Sequence, residues 1–125
     1  MTDLKGKVVL ITGTGGGQGR AAALRFARDG AIVVGCDVDQ SGHEQTRQLL
    51  KEEQLELHGY APVDLGDHQQ AQAWVEAAAD QFGRIDVLYN NASATRFGPI
   101  QDFSIDDWHF VIRNELDLLF YTTKY

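Results

Sequence analysis

Five glycines fall within the seven residues Gly13–Gly19 of the stretch "ITGTGGGQGR". The apolar run Val8–Ile11 precedes them, and an alanine-rich helical pattern follows. Glycine lets a backbone turn sharply and lets a ligand approach with no Cβ in the way. A helix that starts at such a turn aims free N–H groups and a partial positive charge at the same spot. The guest this arrangement suits is a diphosphate. The spacing is not G-x-G-x-x-G, because Gln18 stands where the last glycine would fall. It is G-x-x-x-G-x-G, through Gly13, Gly17 and Gly19. A purely structural turn would also use glycines, so the loop needs a second signal.

That signal is Asp37, which closes the apolar run "AIVVGCD" 24 residues after Gly13. A carboxylate at the end of a second strand can accept hydrogen bonds from both hydroxyls of an adenosine ribose. It repels a 2′-phosphate, and no Arg or Lys lies among Asp37–Gly42 to offset it. NAD is therefore favoured over NADP, with Asp37 and the adjacent Val38 as candidate adenosine contacts. A solvated carboxylate at a strand end is the plain alternative.

Short apolar runs alternate with longer helical patterns along the chain. Lys7–Thr12, Ala31–Asp37, Leu55–Val63 and Arg84–Asn90 read as strands. Gly19–Asp29, Ser41–Gln54, a segment from the capping "DHQQ" to Phe82, and a last segment opened by "SIDD" read as helices. Residues 92–103 read as a loop. Strands joined by helices pair in parallel through right-handed crossovers, and strands apolar on both faces imply helices on both sides. The expected fold is a partial Rossmann-like α/β unit of one domain, residues 1–125, a parallel sheet with helices on both faces. The glycine loop then lies beyond the carboxyl ends of the strands, where such sheets bind ligands.

These residues resemble the short-chain dehydrogenase/reductase family. "TGTGGGQG" is similar to its Thr-Gly-x-x-x-Gly-x-Gly cofactor motif, and Gln18 stands where the family has an apolar residue. "DL" at Asp64–Leu65 resembles its adenine-contacting Asp after the third strand. "NNAS" (Asn90–Ser93) resembles its Asn-Asn-Ala-Gly motif, with Ser93 in place of the final Gly. "FGPIQDFSIDDW" is similar to the family's entry into its fourth helix. The resemblance covers nearly the whole chain and implies the strand order 3-2-1-4. It implies a nicotinamide cofactor, hydride transfer between a carbonyl and an alcohol, and cofactor contacts from Asn91, Ala92 and Ser93 as well as from the glycine loop, Asp64 and Leu65.

The family also carries a catalytic Asn in its fourth helix, seven residues after a Trp and five before a Phe. Trp108 and Phe120 place that position at Glu115, although "RNEL" offers Asn114 next to it. At about 100° per residue, Trp108, Ile112, Glu115 and Leu119 share one stripe, and Asn114 lies about 100° away. Glu115 is thus expected in the middle of an apolar stripe. A carboxylate there needs a partner, a proton or a route to solvent. It either pairs or reaches water, or it replaces the Asn in a proton relay. The family's catalytic Ser and Tyr-x-x-x-Lys are implied for residues after these 125. Tyr121-x-x-Lys124 has the wrong spacing, and both side chains are expected on the surface. The chain is expected to hold cofactor without turnover of its own. A nucleotide-binding module without chemistry and an assembly piece with a vestigial loop are the alternatives.

The bulk properties narrow the partners. A net charge of −7 argues against nucleic acid and anionic membranes. No apolar run approaches the ~20 residues of a membrane span, and the N-terminus lacks a secretory apolar region, so a cytoplasmic location is expected. Cys36, the single cysteine, reads as an inert core thiol. The histidines at 43, 58, 68 and 109 show no metal-ligand spacing and are expected in solvent; no metal site is expected. With "IDVLY" at a sheet edge and an apolar last helix, the chain is expected either to self-associate or to be a piece of a longer protein.

Overall fold

The computed structural model describes residues 3–125. Four parallel strands form one sheet: β1 (Val8–Thr12), β2 (Ile32–Cys36), β3 (Leu57–Tyr60) and β4 (Val87–Tyr89). Their order is β3-β2-β1-β4, as the family resemblance implies. Val8 pairs with Ile32, Thr12 with Cys36, Val33 with Leu57 and Val9 with Val87. The helices are α1 (Gly17–Arg28), α2 (Gln40–Glu52), α3 (His68–Phe82), α4 (Ile105–Ile112) and α5 (Leu118–Lys124). Among the described residues no helix is long and apolar enough to cross a membrane.

The period-2 alternation of the strands divides the core in two. Val9, Ile11 and Val33 pack with Ala23 and Ala27 of α1 and Leu50 of α2. Val8, Leu10, Val34 and Cys36 pack with Trp74, Val75 and Ala78 of α3 and with Leu118 of α5. β1 is buried along its whole length because helices cover both of its faces. Trp74 is fully buried and spends its indole N–H on the carbonyl of Gly35 at 3.1 Å. The helix starts follow the sequence. Asp39 caps α2 by accepting from Gly42 N, Asp67 caps α3 by accepting from Gln69 N, and Ser104 caps α4 by accepting from Asp107 N. Gly83 ends α3 with a left-handed φ of 74°.

Three expectations are corrected. The third strand is shorter than 55–63 and stops at Tyr60. Gly59 has a φ of +92°, outside the strand region, and Pro62 has no N–H for a ladder. The loop 92–103 contains one 3₁₀ turn, Ile100–Asp102. The last helix is not continuous: Arg113–Asp117 is a π turn between α4 and α5. Bonding to the fifth residue places more residues in each turn there, so a projection at 100° per residue does not carry through it. Of the stripe expected to face the core, Trp108 is instead 52% exposed, while Ile112, Glu115 and Leu119 are half-buried.

Candidate functional site

The site is built around the end of β1. Gly13 has a φ of +78°, and its N–H donates to the carbonyl of Cys36 at 2.8 Å, turning the chain over the end of β2. Gly19, in the first turn of α1, lies against that turn: a Cβ at position 19 would land on the carbonyl of Gly13. A side chain at Gly15 would meet the carboxylate of Asp37, 2.7 Å from the nearest oxygen. Gly17 has open space around it and a φ of +51°, so backbone conformation is what requires glycine there. No side chain caps α1, and Gly17 and Gln18 are exposed at its start. The first turn of α1 therefore presents bare N–H groups to solvent, as an anion cradle requires.

Asp37 stands beside this cradle. Its Oδ2 accepts from Gly15 N at 2.7 Å and its Oδ1 from Asp39 N at 2.9 Å. Each oxygen keeps a further lone pair for a hydroxyl donor. A cleft runs from Gly13 past Asp37 and Val38 to Asp64, Leu65 and Gly66, with Ala92, Ser93 and Asn114 on its far wall. Glycine loop, second strand, third loop and fourth loop thus meet along one cleft.

Asn91 does not line that cleft; it holds the wall in place. Its side-chain amide donates to the carbonyls of Thr12 (3.0 Å) and Gly13 (3.4 Å). The fully buried Thr12 accepts at Oγ1 from the N–H groups of both Asn91 (2.9 Å) and Ala92 (2.8 Å). One hydroxyl thereby ties the end of β1 to the turn after β4. Asn90 is turned the other way: its Oδ1 accepts from Thr122 of α5 at 2.7 Å.

The last helix reaches the site through its π turn. Asn114, set aside by the 100° projection, lines the cleft, and its amide donates to the carbonyl of Phe110 at 2.8 Å. Glu115, half-buried, does not line it. The extra residue of the π turn changes which side chains point inward, and no pattern in "RNELD" announces such a turn. Of the Tyr121/Lys124 pair, Lys124 is exposed, whereas Tyr121 is half-buried beside His68, with ring centroids 5.8 Å apart.

Three residues that matter were missed from sequence. Arg20 closes the glycine loop onto α2: its Nη2 donates to the carbonyls of Gly15 (2.8 Å) and Gly42 (3.2 Å), and its Nε to Thr46 (2.9 Å). A cation thus serves this corner although none lies among Asp37–Gly42. His43, expected in solvent, is buried. Its Nε2 faces a guanidinium N–H of Arg47 at 3.3 Å, so Nε2 accepts and the ring proton sits on Nδ1. Nδ1–H then donates to Thr14 Oγ1 at 2.8 Å, and that hydroxyl donates to the carbonyl of Cys36. Burial, aided by the Arg47 charge, lowers the His43 pKa. Cys36 is fully buried, which pushes its thiol up and keeps it inert. The third, Arg113, pairs with Asp64 at 2.6 Å.

Comparison with known proteins agrees with this geometry. The profile of the short chain dehydrogenase family matches residues 7–125. Meso-2,3-butanediol dehydrogenase from Serratia marcescens is 37% identical over 120 residues, 95% of this chain and 46% of that protein. D-threitol dehydrogenase from Mycolicibacterium smegmatis is 37% identical over 105 residues, 84% of this chain and 40% of that one. The chain therefore spans less than half the length of these relatives. Among solved structures, NAD+-bound xylitol dehydrogenase superposes with a TM-score of 0.91 at 31% identity, over 98% of this chain and 47% of that one. An F189W actinorhodin polyketide ketoreductase with NADPH superposes with a TM-score of 0.89 at 29% identity, over 98% and 46%. Fold, loop geometry and sequence kinship together make this chain a member of the short-chain dehydrogenase/reductase family.

Proposed function

We propose that this chain is the cofactor-binding part of an NAD-dependent oxidoreductase that moves a hydride between a carbonyl and a small alcohol. The observation that carries this is the cradle: an uncapped first turn of α1 exposed at Gly17 and Gln18, with the loop packed tightly against it through the missing side chains of Gly13, Gly15 and Gly19 and the Asp37 carboxylate beside it. Bound there, NAD supplies the hydride-accepting ring. The chain's own residues bind and orient. The first turn of α1 takes the pyrophosphate at Gly17, Gln18 and Gly19, and Asp37 takes the ribose hydroxyls. Val38, Asp64 and Leu65 border the adenine. Asn91 keeps Ala92 and Ser93 at the wall.

NAD is preferred over NADP because the Asp37 carboxylate, held in place by two backbone N–H groups, repels a 2′-phosphate. Arg20 directs Nε and Nη2 at Thr46, Gly15 and Gly42 and makes no hydrogen bond to Asp37. Calorimetry with NAD and NADP tests this. NAD binds tighter in the wild type, and Asp37→Ala removes the preference. Equal affinity for both in the wild type refutes the assignment.

Catalysis requires a Ser and a Tyr-x-x-x-Lys that these residues do not supply, so the 125-residue chain binds cofactor without turnover. Glu115 keeps the family's Asn position by its spacing from Trp108 and Phe120, and a proton-relay role is assigned to it there. Asn114, on the cleft wall, touches the cofactor. Self-association follows from the exposed apolar residues Phe97, Ile100, Ile105, Trp108 and Phe120 around α4 and α5. A monodisperse monomer by light scattering at high concentration would count against it. A cytoplasmic location is part of the same proposal.

A further inference from the structure

The cleft beside the glycine loop is lined by two carboxylates, Asp37 and Asp64, and by no cation. A dinucleotide brings a pyrophosphate, so an uncompensated pair of carboxylates works against its entry. Asp37 is offset by two backbone N–H groups. Asp64 has one, from Gly66 N at 3.0 Å, and its Oδ2 takes the guanidinium of Arg113 at 2.6 Å from 49 residues away. Arg113 opens the π turn, and its neighbour Asn114 lines the cleft. The seat of the guanidinium is shaped for it. A Cβ at Gly66 would meet Arg113 Nη1 at 2.5 Å and Cζ at 2.6 Å. Gly66 does not have the left-handed φ that would require glycine on backbone grounds. The absence of a side chain at 66 is explained by the arginine lying on it.

We propose that Arg113 is a positioning and selectivity residue for the adenosine end of the cleft: by pairing with Asp64 over Gly66 it cancels the second carboxylate and seats the π turn that presents Asn114. The inference deepens the nucleotide-binding reading above and rests on it. Asp67, which caps α3, is a further carboxylate acting on Arg113, so loss of this guanidinium leaves that corner with negative charge only partly balanced.

The test is calorimetry of ADP-ribose with the purified wild type, Arg113→Met, Asp64→Asn, the double variant and Gly66→Ala, at about 20 mM and about 0.5 M salt. Charge cancellation predicts that Arg113→Met binds about fivefold more weakly at low salt. The difference shrinks at high salt, where the Debye length is a few ångströms. On the Asp64→Asn background the missing cation has no anion to cancel, so adding Arg113→Met changes affinity by less than about twofold relative to Asp64→Asn alone. Gly66→Ala displaces the guanidinium while keeping both charges, and it weakens binding in the same direction with an unchanged circular dichroism spectrum. It serves as the second reading should Arg113→Met fold poorly. Arg113→Met binding like the wild type overturns the proposal. So does a loss that is equal at both salt concentrations and just as large on the Asp64→Asn background, because that is a packing effect. Wild-type protein that does not bind ADP-ribose at all overturns the nucleotide-binding reading itself, and this inference with it.

Discussion

Replacing Thr12 with Val isolates the bond set on which the cleft wall depends. Valine keeps the shape of threonine and removes one oxygen. That oxygen accepts two backbone N–H groups, those of Asn91 and Ala92, at 2.9 and 2.8 Å. The residue is fully buried at the end of the central strand, so no water replaces the oxygen without repacking. An N–H left without its partner costs about 1–3 kcal/mol, and the lower part of that range applies because the turn itself is only partly buried. Two such groups give about 2–3 kcal/mol, equivalent to about 10 °C in Tm for a chain of this size. Urea unfolding followed by circular dichroism reads the loss. Thr12→Ser is the control: it keeps the acceptor, gives up one methyl and costs about 1 kcal/mol. The Ala92–Ser93 wall also loosens in the valine variant, so ADP-ribose binding falls more than in the serine variant. Thr12→Val within about 0.5 kcal/mol of the wild type, or Thr12→Ser as unstable as Thr12→Val, refutes the reasoning.

Other perturbations follow from the same geometry. Gly19→Ala drives a methyl onto the Gly13 carbonyl, which is backbone and held in the turn over β2; stability falls by about 3 kcal/mol and ADP-ribose binding is lost, as a thermal melt and calorimetry will read. His43 has a folded pKa below its unfolded value of about 6.5, so the stability it confers is full above that pH and is lost as pH falls through the folded value. Its charged neighbours are Arg47, Asp37 and Glu44. The unfolding free energy of the wild type therefore drops more steeply between pH 7.5 and pH 5 than that of His43→Gln, and parallel curves would count against the buried neutral ring. Asp86 is the opposite case: its hydrogen bond with Arg84, together with the Val8 N–H at 2.9 Å, lowers its pKa. Its contribution is present above the usual carboxyl range and is lost as pH falls through the folded value. Asp86→Asn thus flattens the acid limb of the stability curve, which acid titration followed by circular dichroism checks.

Most of the scaffold was legible because it is encoded locally. Apolar runs of strand length, helical patterns between them, and capping residues such as Asp67 and Ser104 act over a few residues, and they agree with one another along the chain. Boundaries slipped where one residue's backbone decides, as at Pro62 just past the end of β3. The site was legible as residue types in order: glycines, Asp37, Asp64–Leu65 and the turn after β4. What each would touch was less so. Asn91 looked like a ligand contact, yet its amide belongs to Thr12 and Gly13.

The sequence by itself determined that strands and helices alternate, that helices must cover both sheet faces, and that the first crossover opens on a glycine cradle beside an acidic strand end. These follow from periodicity and from the steric freedom of glycine, which need no distant partner. Tertiary structure alone decided that His43 is buried between Thr14 and Arg47, that Arg20 bolts the loop to α2, and that Arg113 crosses to Asp64 while Asn114 faces the cleft. Each of these includes a partner at least 22 residues away or depends on one extra residue in a helical turn. Local pattern carries no record of either, because the energy that selects them comes from partners that only folding brings together.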